Sequence, residues 1–86
     1  MLSRFIFKVE AAEKIKVGSG FESGDTIISA EYTNLTQAKK AGEKLLKRKD
    51  IFSVWVTQLE VAEYGDPIYQ WKKYESDSKW TGGDYW

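Results

Sequence analysis

The chain has 86 residues, with 13 basic and 13 acidic side chains and neither cysteine nor histidine. This length accommodates one domain, and the two missing residue types exclude disulfides, thiolate or imidazole metal sites, and catalysis by cysteine or histidine. A neutral total charge argues against nucleic-acid binding that depends mainly on phosphate neutralisation. Because no apolar run is long enough to cross a membrane, the sequence predicts a soluble, cytoplasmic protein without membrane contact.

Two segments of alternating polarity begin the chain, and each predicts a β-strand. They cover residues 4–10 and 26–33, and alternation with a period of two is typical of strands. The intervening residues 11–25 are polar and contain three glycines, so we expect a long, mobile connection, with Ile15 and Val17 leaving open an extension of the first strand. This connection does not end in the Lys-Ser/Thr pair of a phosphate-binding loop, and no helix follows it. It also lacks the ordered oxygen ligands of a calcium site.

An amphipathic helix is predicted from residue 34 onward, because apolar and small residues recur there every three to four positions. Asn34 is a favourable N-cap, with Gln37 three positions later. Basic residues at 47–49 suit the negative end of the helix dipole. The small residues Ala38 and Gly42 indicate that the helix approaches a sheet closely.

Two further strands follow the helix. Residues 51–61 are rich in β-branched and aromatic side chains, residues 63–67 have turn chemistry, and residues 68–74 alternate again. The predicted fold is therefore α+β with the order ββαββ, a four-stranded antiparallel sheet in strand order 2-1-3-4, and one helix on one face. Residues 1–74 form the single domain, and residues 75–86 form an aromatic, acidic C-terminal tail that folds back on the sheet or docks into another protein.

Aromatic residues are the main functional signal, since 13 of them exceed what a core this small encloses. One helix covers one face of a sheet, so we expect aromatic and apolar side chains on the other face to bind a partner. A purely structural role, in which the tryptophans enlarge the core, is the competing interpretation. The predicted partner-binding residues are Arg4, Ile6, Lys8, Trp55, Thr57, Leu59, Tyr69 and Trp71, with Trp80 and Trp86 from the tail.

The basic face of the helix is a second candidate surface. Residues 34–49 contain six basic residues and one acidic residue. A solvated, lysine-rich face is the ordinary interpretation of such a helix, and contact with phosphates or with an acidic partner is the functional one. The residues concerned are Lys39, Lys40, Lys44, Lys47 and Arg48, followed by Lys49.

Carboxylate pairs are the only candidates for catalysis, namely Glu10 with Glu31 and Glu60 with Glu63. Hydrolysis by two carboxylates needs a cleft that one sheet with one helix rarely provides. We therefore expect a protein that is not an enzyme and that uses no metal or cofactor. The leading hypothesis is a small adaptor or modulator, typical of bacterial or phage accessory proteins, that binds another protein through the aromatic sheet face, a strand edge or the tail.

Two alternatives come from other functional classes. A self-associating structural subunit, for example a homodimer formed by edge pairing, would bind no outside ligand. A domain that binds single-stranded nucleic acid would stack bases on aromatic rings, and its binding would depend steeply on salt. Its contacts would be Trp55, Tyr69 and Trp71 for stacking and Arg4, Lys8 and Lys73 for phosphates.

Overall fold

The computed structural model describes residues 4–61 and 67–84, which form one helix packed on one face of an antiparallel sheet. The sheet has five strands in the order β2-β1-β3-β4-β5. The α+β class and the order of the first four strands are confirmed, and the prediction of only four strands is wrong. The elements are β1 (Arg4–Val17), β2 (Gly20–Tyr32), α1 (Leu35–Leu46), β3 (Ile51–Val61), β4 (Pro67–Tyr74) and β5 (Thr81–Asp84).

Residues 11–17 and 20–25 form strand rather than the mobile connection that was predicted. Strands β1 and β2 are joined by a two-residue turn at Gly18 and Ser19, where Gly18 has a φ of +59°. Glycine adopts this left-handed conformation without strain at the first central position of a tight hairpin turn. Residues 15–22, here called the β-arm, pair only between β1 and β2 and project beyond the other strands. The molecule is consequently 52 Å long and about 20 Å across.

Three bulges adjust the sheet around this hairpin. Strand β2 has one extra residue, Ile27, between the partners of Ala11 and Ala12, and a second extra residue at 24–25. A third bulge places Phe52 as the extra residue of β3, opposite the step from Ala12 to Glu13 of β1. A bulge reverses the alternation of side chains along a strand. The bulge in β3 therefore allows Ile51 and Val54 to face the same side.

The core lies between α1 and the two central strands, β1 and β3. Val9 and Val56 are at most 1% exposed and form one core cluster with Ala38 of the helix. Ala11, Ile51 and Val54 are fully buried and form a second core cluster, against which Leu45 and Leu46 of the helix pack. The helix begins as predicted, with the Asn34 Oδ1 accepting a hydrogen bond from the Gln37 amide at 3.2 Å.

Residues 80–84 belong to the sheet and the core, although the composition of residues 75–86 predicted a tail. Strand β5 pairs with β4, and Trp80, just before β5, packs against both core clusters. Gly42 of α1 makes room for this ring, since a β-carbon there would lie 2.8 Å from the Trp80 Cη2. Gly82 of β5 similarly makes room for Trp71, whose Cδ1 would lie 2.8 Å from a β-carbon. The two glycines therefore permit close packing around the two rings.

Candidate functional site

The side of the sheet turned away from α1, here called the open face, has Trp55 at its centre. The strand register places Glu10 of β1 and Lys72 of β4 on either side of Trp55, which lies on β3. The indole N–H of Trp55 donates a hydrogen bond to the Glu10 Oε1 at 3.3 Å. Trp55 is half-buried by these neighbours. The hydrogen bond thus orients the N–H edge of the indole toward Glu10, while the rest of the Trp55 side chain stays partly accessible to solvent.

A concavity of about 300 Å³ lies beside Trp55 on the open face. Small residues form its floor, because Ala12 is 1% and Ser53 is 5% exposed, whereas Trp55 and Tyr74 carry large rings. Lys72 is its only charged lining residue among those that the structure describes. The lining residues are Ala12, Ser23, Gly24, Ser53, Trp55, Gln70, Lys72 and Tyr74.

Polar contacts attach the base of the β-arm to the sheet next to this concavity. The hydroxyl oxygens of Ser23 and Ser53 are 2.7 Å apart. The Lys14 Nζ is 2.8 Å from a carboxylate oxygen of Glu75 and 4.2 Å from the ring centroid of Phe21. Because these contacts join β1 and β2 to β3 and to the turn after β4, they hold the wall of the concavity in place.

Five of the predicted partner-binding residues lie together on the open face, as expected from the sequence. Ile6 pairs with Leu59 and Lys8 pairs with Thr57, both on the same side as Trp55. The Thr57 hydroxyl is nearly buried and accepts a hydrogen bond from the Gln70 Nε2 at 3.0 Å. The side chain of Arg4 and the whole of Trp86 lie outside the described residues.

Tyr69 and Trp71 were predicted to share the face of Trp55, and this placement is wrong. Trp71 pairs with Val56, whose side chain is in the core beneath the helix. The Trp71 ring centroid is 6.4 Å from that of Phe7 and 4.5 Å from that of Tyr69, so Tyr69 and Trp71 both belong to the helix side. The open face instead receives Gln70, Lys72 and Tyr74, which the sequence analysis missed.

Trp80 and Lys73 also lie on the helix side, where they meet Glu43 of α1. The indole N–H of Trp80 donates to the Glu43 Oε1 at 3.0 Å, and the Lys73 Nζ is 3.6 Å from the same oxygen. The hydrogen bond from Trp80, together with the positive charges of Lys73 and Lys39, lowers the pKa of Glu43 below its ordinary value. Trp80 therefore acts in the described chain as a packing residue that also binds a carboxylate.

The predicted basic face of α1 is divided among three environments. The Lys39 Nζ lies 5.3 Å from the ring centroid of Trp71, whereas Lys40 and Lys47 are exposed to solvent. Lys44 and Arg48 line a groove between α1 and β2. Lys39 is therefore half-buried against an aromatic ring, whereas the other five cations, including Lys49, are exposed.

Arg48 has a further partner close by in the sequence. Its guanidinium is 2.6 Å from the Asp50 Oδ2, and this contact lowers the pKa of Asp50 below its ordinary value. Both side chains are about half exposed, and solvent-exposed ion pairs of this kind are weak.

Neither a metal site nor a membrane helix is visible in residues 4–61 and 67–84. These residues include no cluster of three or more acidic side chains suited to a metal ion, and α1 is neither long nor apolar enough to cross a membrane. Of the carboxylate pairs, Glu63 lies outside the described residues, and Glu10 binds Trp55. The chain matches no protein-family model, no curated protein and no solved structure closely enough to indicate a relative.

Proposed function

We propose that this chain is a non-catalytic protein-binding module, an adaptor or modulator whose partner docks on the open face around Trp55. The single observation that carries the proposal is the arrangement of this face: α1 packs on the opposite side, and a half-buried tryptophan stands beside a concavity with a small-residue floor. Partly buried aromatic residues next to pockets are typical of energetic hot spots in protein interfaces.

The open face around Trp55 supports this proposal because it combines apolar side chains with charged ones. Ile6 and Leu59 are half-buried apolar residues on the same face. Lys72 and Glu10 flank the ring with opposite charges. Interfaces commonly combine an apolar centre with charged groups at the edge, which set orientation more than affinity.

The alternative of single-stranded nucleic-acid binding depended on three aromatic residues lying on one face of the sheet. Its three stacking residues are divided between the two faces, with Trp55 on the open face and Tyr69 and Trp71 on the helix side. Lys73, a proposed phosphate contact, is engaged by Glu43 on the helix side. A row of stacked bases needs its aromatic platforms along one groove, so protein binding is the better-supported class.

The experiment is quantitative capture of partners from an extract of the source cells on the immobilised chain, with and without nuclease treatment. We expect a nuclease-resistant protein whose recovery falls at least about tenfold with Trp55→Ala, because truncating a hot-spot aromatic residue removes its pocket contacts. Lys72→Glu should weaken capture less. Lys40→Glu is the matched control, since it makes the same charge change on the exposed side of α1.

Each variant is first compared with the unaltered chain by urea unfolding, so that loss of capture is not confused with loss of fold. Recovery that disappears on nuclease treatment would overturn the proposal in favour of nucleic-acid binding. Self-association as the only interaction abolished by Trp55→Ala would overturn it in favour of a structural subunit.

A further inference from the structure

The groove between α1 and β2 has an apolar interior of about 330 Å³. Ile28, Ala30 and Tyr32, at alternate positions of β2, form its floor. Ala41 and Leu45 of α1 form its wall. This groove lies on the helix side of the sheet and shares no lining residue with the concavity beside Trp55.

The groove exists because α1 packs over the central strands rather than over β2. The fully buried residues beneath the helix, such as Val9 and Val56, come from β1 and β3, whereas Ile28, Ala30 and Tyr32 are only partly buried. Strand β2 is at the edge of the sheet, and no strand in the described residues pairs with its outer side. The groove therefore has the helix on one side and a free strand edge on the other.

The free edge next to the groove is regular over residues 28–32. These five residues pair with 7–11 of β1 without a bulge, and the irregularities of β2 begin at Ile27. Five residues are a typical length for a strand. A further strand can therefore pair along 28–32, while the bulges beyond it disfavour a longer pairing.

The charge of the groove is positive. Lys44 and Arg48 line it beside the apolar wall, and no acidic residue is among its lining residues in the part of the chain described. Lys44 has no ion-pair partner among the described residues. Arg48 pairs with Asp50, but both groups are about half exposed, so a carboxylate in the groove can compete with this pair.

From this combination we propose that the groove binds an extended acidic peptide segment of another protein, which adds to β2 as a strand. Backbone hydrogen bonds to the free edge supply the pairing, and alternate side chains of the peptide enter the groove. Apolar side chains lie against Ala30 and Leu45, and acidic side chains reach Lys44 and Arg48. The groove is separate from the open face, so a variant that prevents binding at one surface can leave binding at the other intact.

The test uses a fluorescent model peptide that has threonine at every second position and alternating valine and aspartate at the others. Binding is measured by fluorescence anisotropy with the full chain. Control peptides carry lysine in place of aspartate, or N-methyl groups on the alternate backbone nitrogens that would pair with β2. We expect saturable binding of the acidic peptide alone, because the other two lack charge complementarity or strand pairing.

Two protein variants locate the peptide. Lys44→Glu should weaken binding by about fivefold or more, since it replaces a favourable charge contact with repulsion. Lys79→Glu makes the same charge change at an exposed position just before β5, at the opposite edge of the sheet, and should leave affinity within about twofold. Ala30→Leu, which fills the floor without changing charge, should also weaken binding, and Trp55→Ala should not.

Amide hydrogen exchange distinguishes strand addition from other ways of occupying the groove. Bound peptide should slow exchange of the outward-facing amides within residues 28–32 and leave those of β5 unchanged. Equal losses with Lys44→Glu and Lys79→Glu, equal binding of the N-methylated peptide, or absence of saturable binding would each overturn the proposal. Concentration-dependent dimerisation that is abolished by Lys44→Glu would overturn it in favour of a second copy of the chain.

Discussion

On the helix side of the sheet, Trp71 and Trp80 pack against buried valines, and glycines in neighbouring elements make room for their rings. On the open face, Trp55 has Glu10 and Lys72 as its neighbours and stands beside a concavity. One residue type therefore occupies two different environments in one small domain. The comparison teaches that an aromatic residue contributes to stability or remains available for binding according to what lies on its side of the sheet.

The largest expected effect is the difference between truncating the two kinds of tryptophan. Trp80→Ala should lower the free energy of unfolding by about 3 kcal/mol, because it leaves a cavity beneath α1 that the core cannot fill. Trp55→Ala should cost about 1 kcal/mol, since water can enter the space that the ring leaves. Equilibrium unfolding in urea measures both values.

Trp80→Phe is the intermediate control, because it keeps a ring in the core while removing the N–H that binds Glu43. Its cost should fall between those of the two alanine variants. Equal losses of unfolding free energy for Trp80→Ala and Trp55→Ala would show that tryptophans on the two sides of the sheet contribute equally to stability, which would contradict the difference in their packing.

A smaller effect on stability is expected from alanine substitution at two adjacent glycines of β5. A β-carbon on Gly82 would lie 2.8 Å from Trp71 and 2.9 Å from Tyr69, whereas one on Gly83 would meet nothing described within 4 Å. Gly82→Ala should therefore destabilise the fold by about 1 to 2 kcal/mol through overpacking, and Gly83→Ala should be nearly neutral. Thermal unfolding of the matched pair is sufficient, and equal melting temperatures would contradict the close packing at Gly82.

The smallest effect concerns the pH dependence of the contact between Trp80 and Glu43. The pKa of Glu43 is lowered in the folded state, so folding favours its ionised form. This stabilisation is fully present above the pKa of the unfolded chain, about 4.3, and is lost as the pH falls through the lower folded pKa. The stability difference between the unaltered chain and Glu43→Gln should therefore narrow below about pH 4.

The same Glu43→Gln substitution in a Trp80→Phe background provides the control. The indole N–H is the largest cause of the lowered pKa, so the difference at neutral pH should be smaller in that background. A difference that stays constant between neutral and acidic pH would contradict the assignment.

Most of the fold was predictable from local patterns. Helix periodicity with Asn34 as the N-cap located α1, and alternation located the starts of β1 and β3 and, within one residue, that of β4. The length of the first hairpin was missed because the glycines and polar residues of 18–25 resemble a loop, although Gly18 and Ser19 between alternating segments are also a turn signal. Strand β5 was missed because two of its four residues are adjacent glycines, which are typical of turns, and its pairing with β4 is a tertiary contact.

The side of the sheet on which β3 places Trp55 was predicted correctly from the sequence, whereas the side on which β4 places its aromatic residues was not. The face of Trp55 followed from alternation along β3, whose pairing is regular from Ser53 to Gln58. The face of β4 depended on its register with β3, which shifts between Gln58 and Leu59, and no local pattern determines such a shift. The polarity of Gln70 and Lys72 was a usable signal, because a sheet normally turns its more polar positions away from the core.

The strand order also has a consequence for the speed of folding. Strands β1 and β2 can pair locally as one hairpin, and β3, β4 and β5 can pair locally as a meander. The two units join where β1 pairs with β3, here called the seam, so that Val9 lies opposite Val56 and Ala11 opposite Val54. Closing that seam brings together residues far apart in sequence, with β2 and α1 as the intervening loop, so it incurs most of the loop-closure entropy. Formation of the seam between β1 and β3 should accordingly set the rate at which the chain folds.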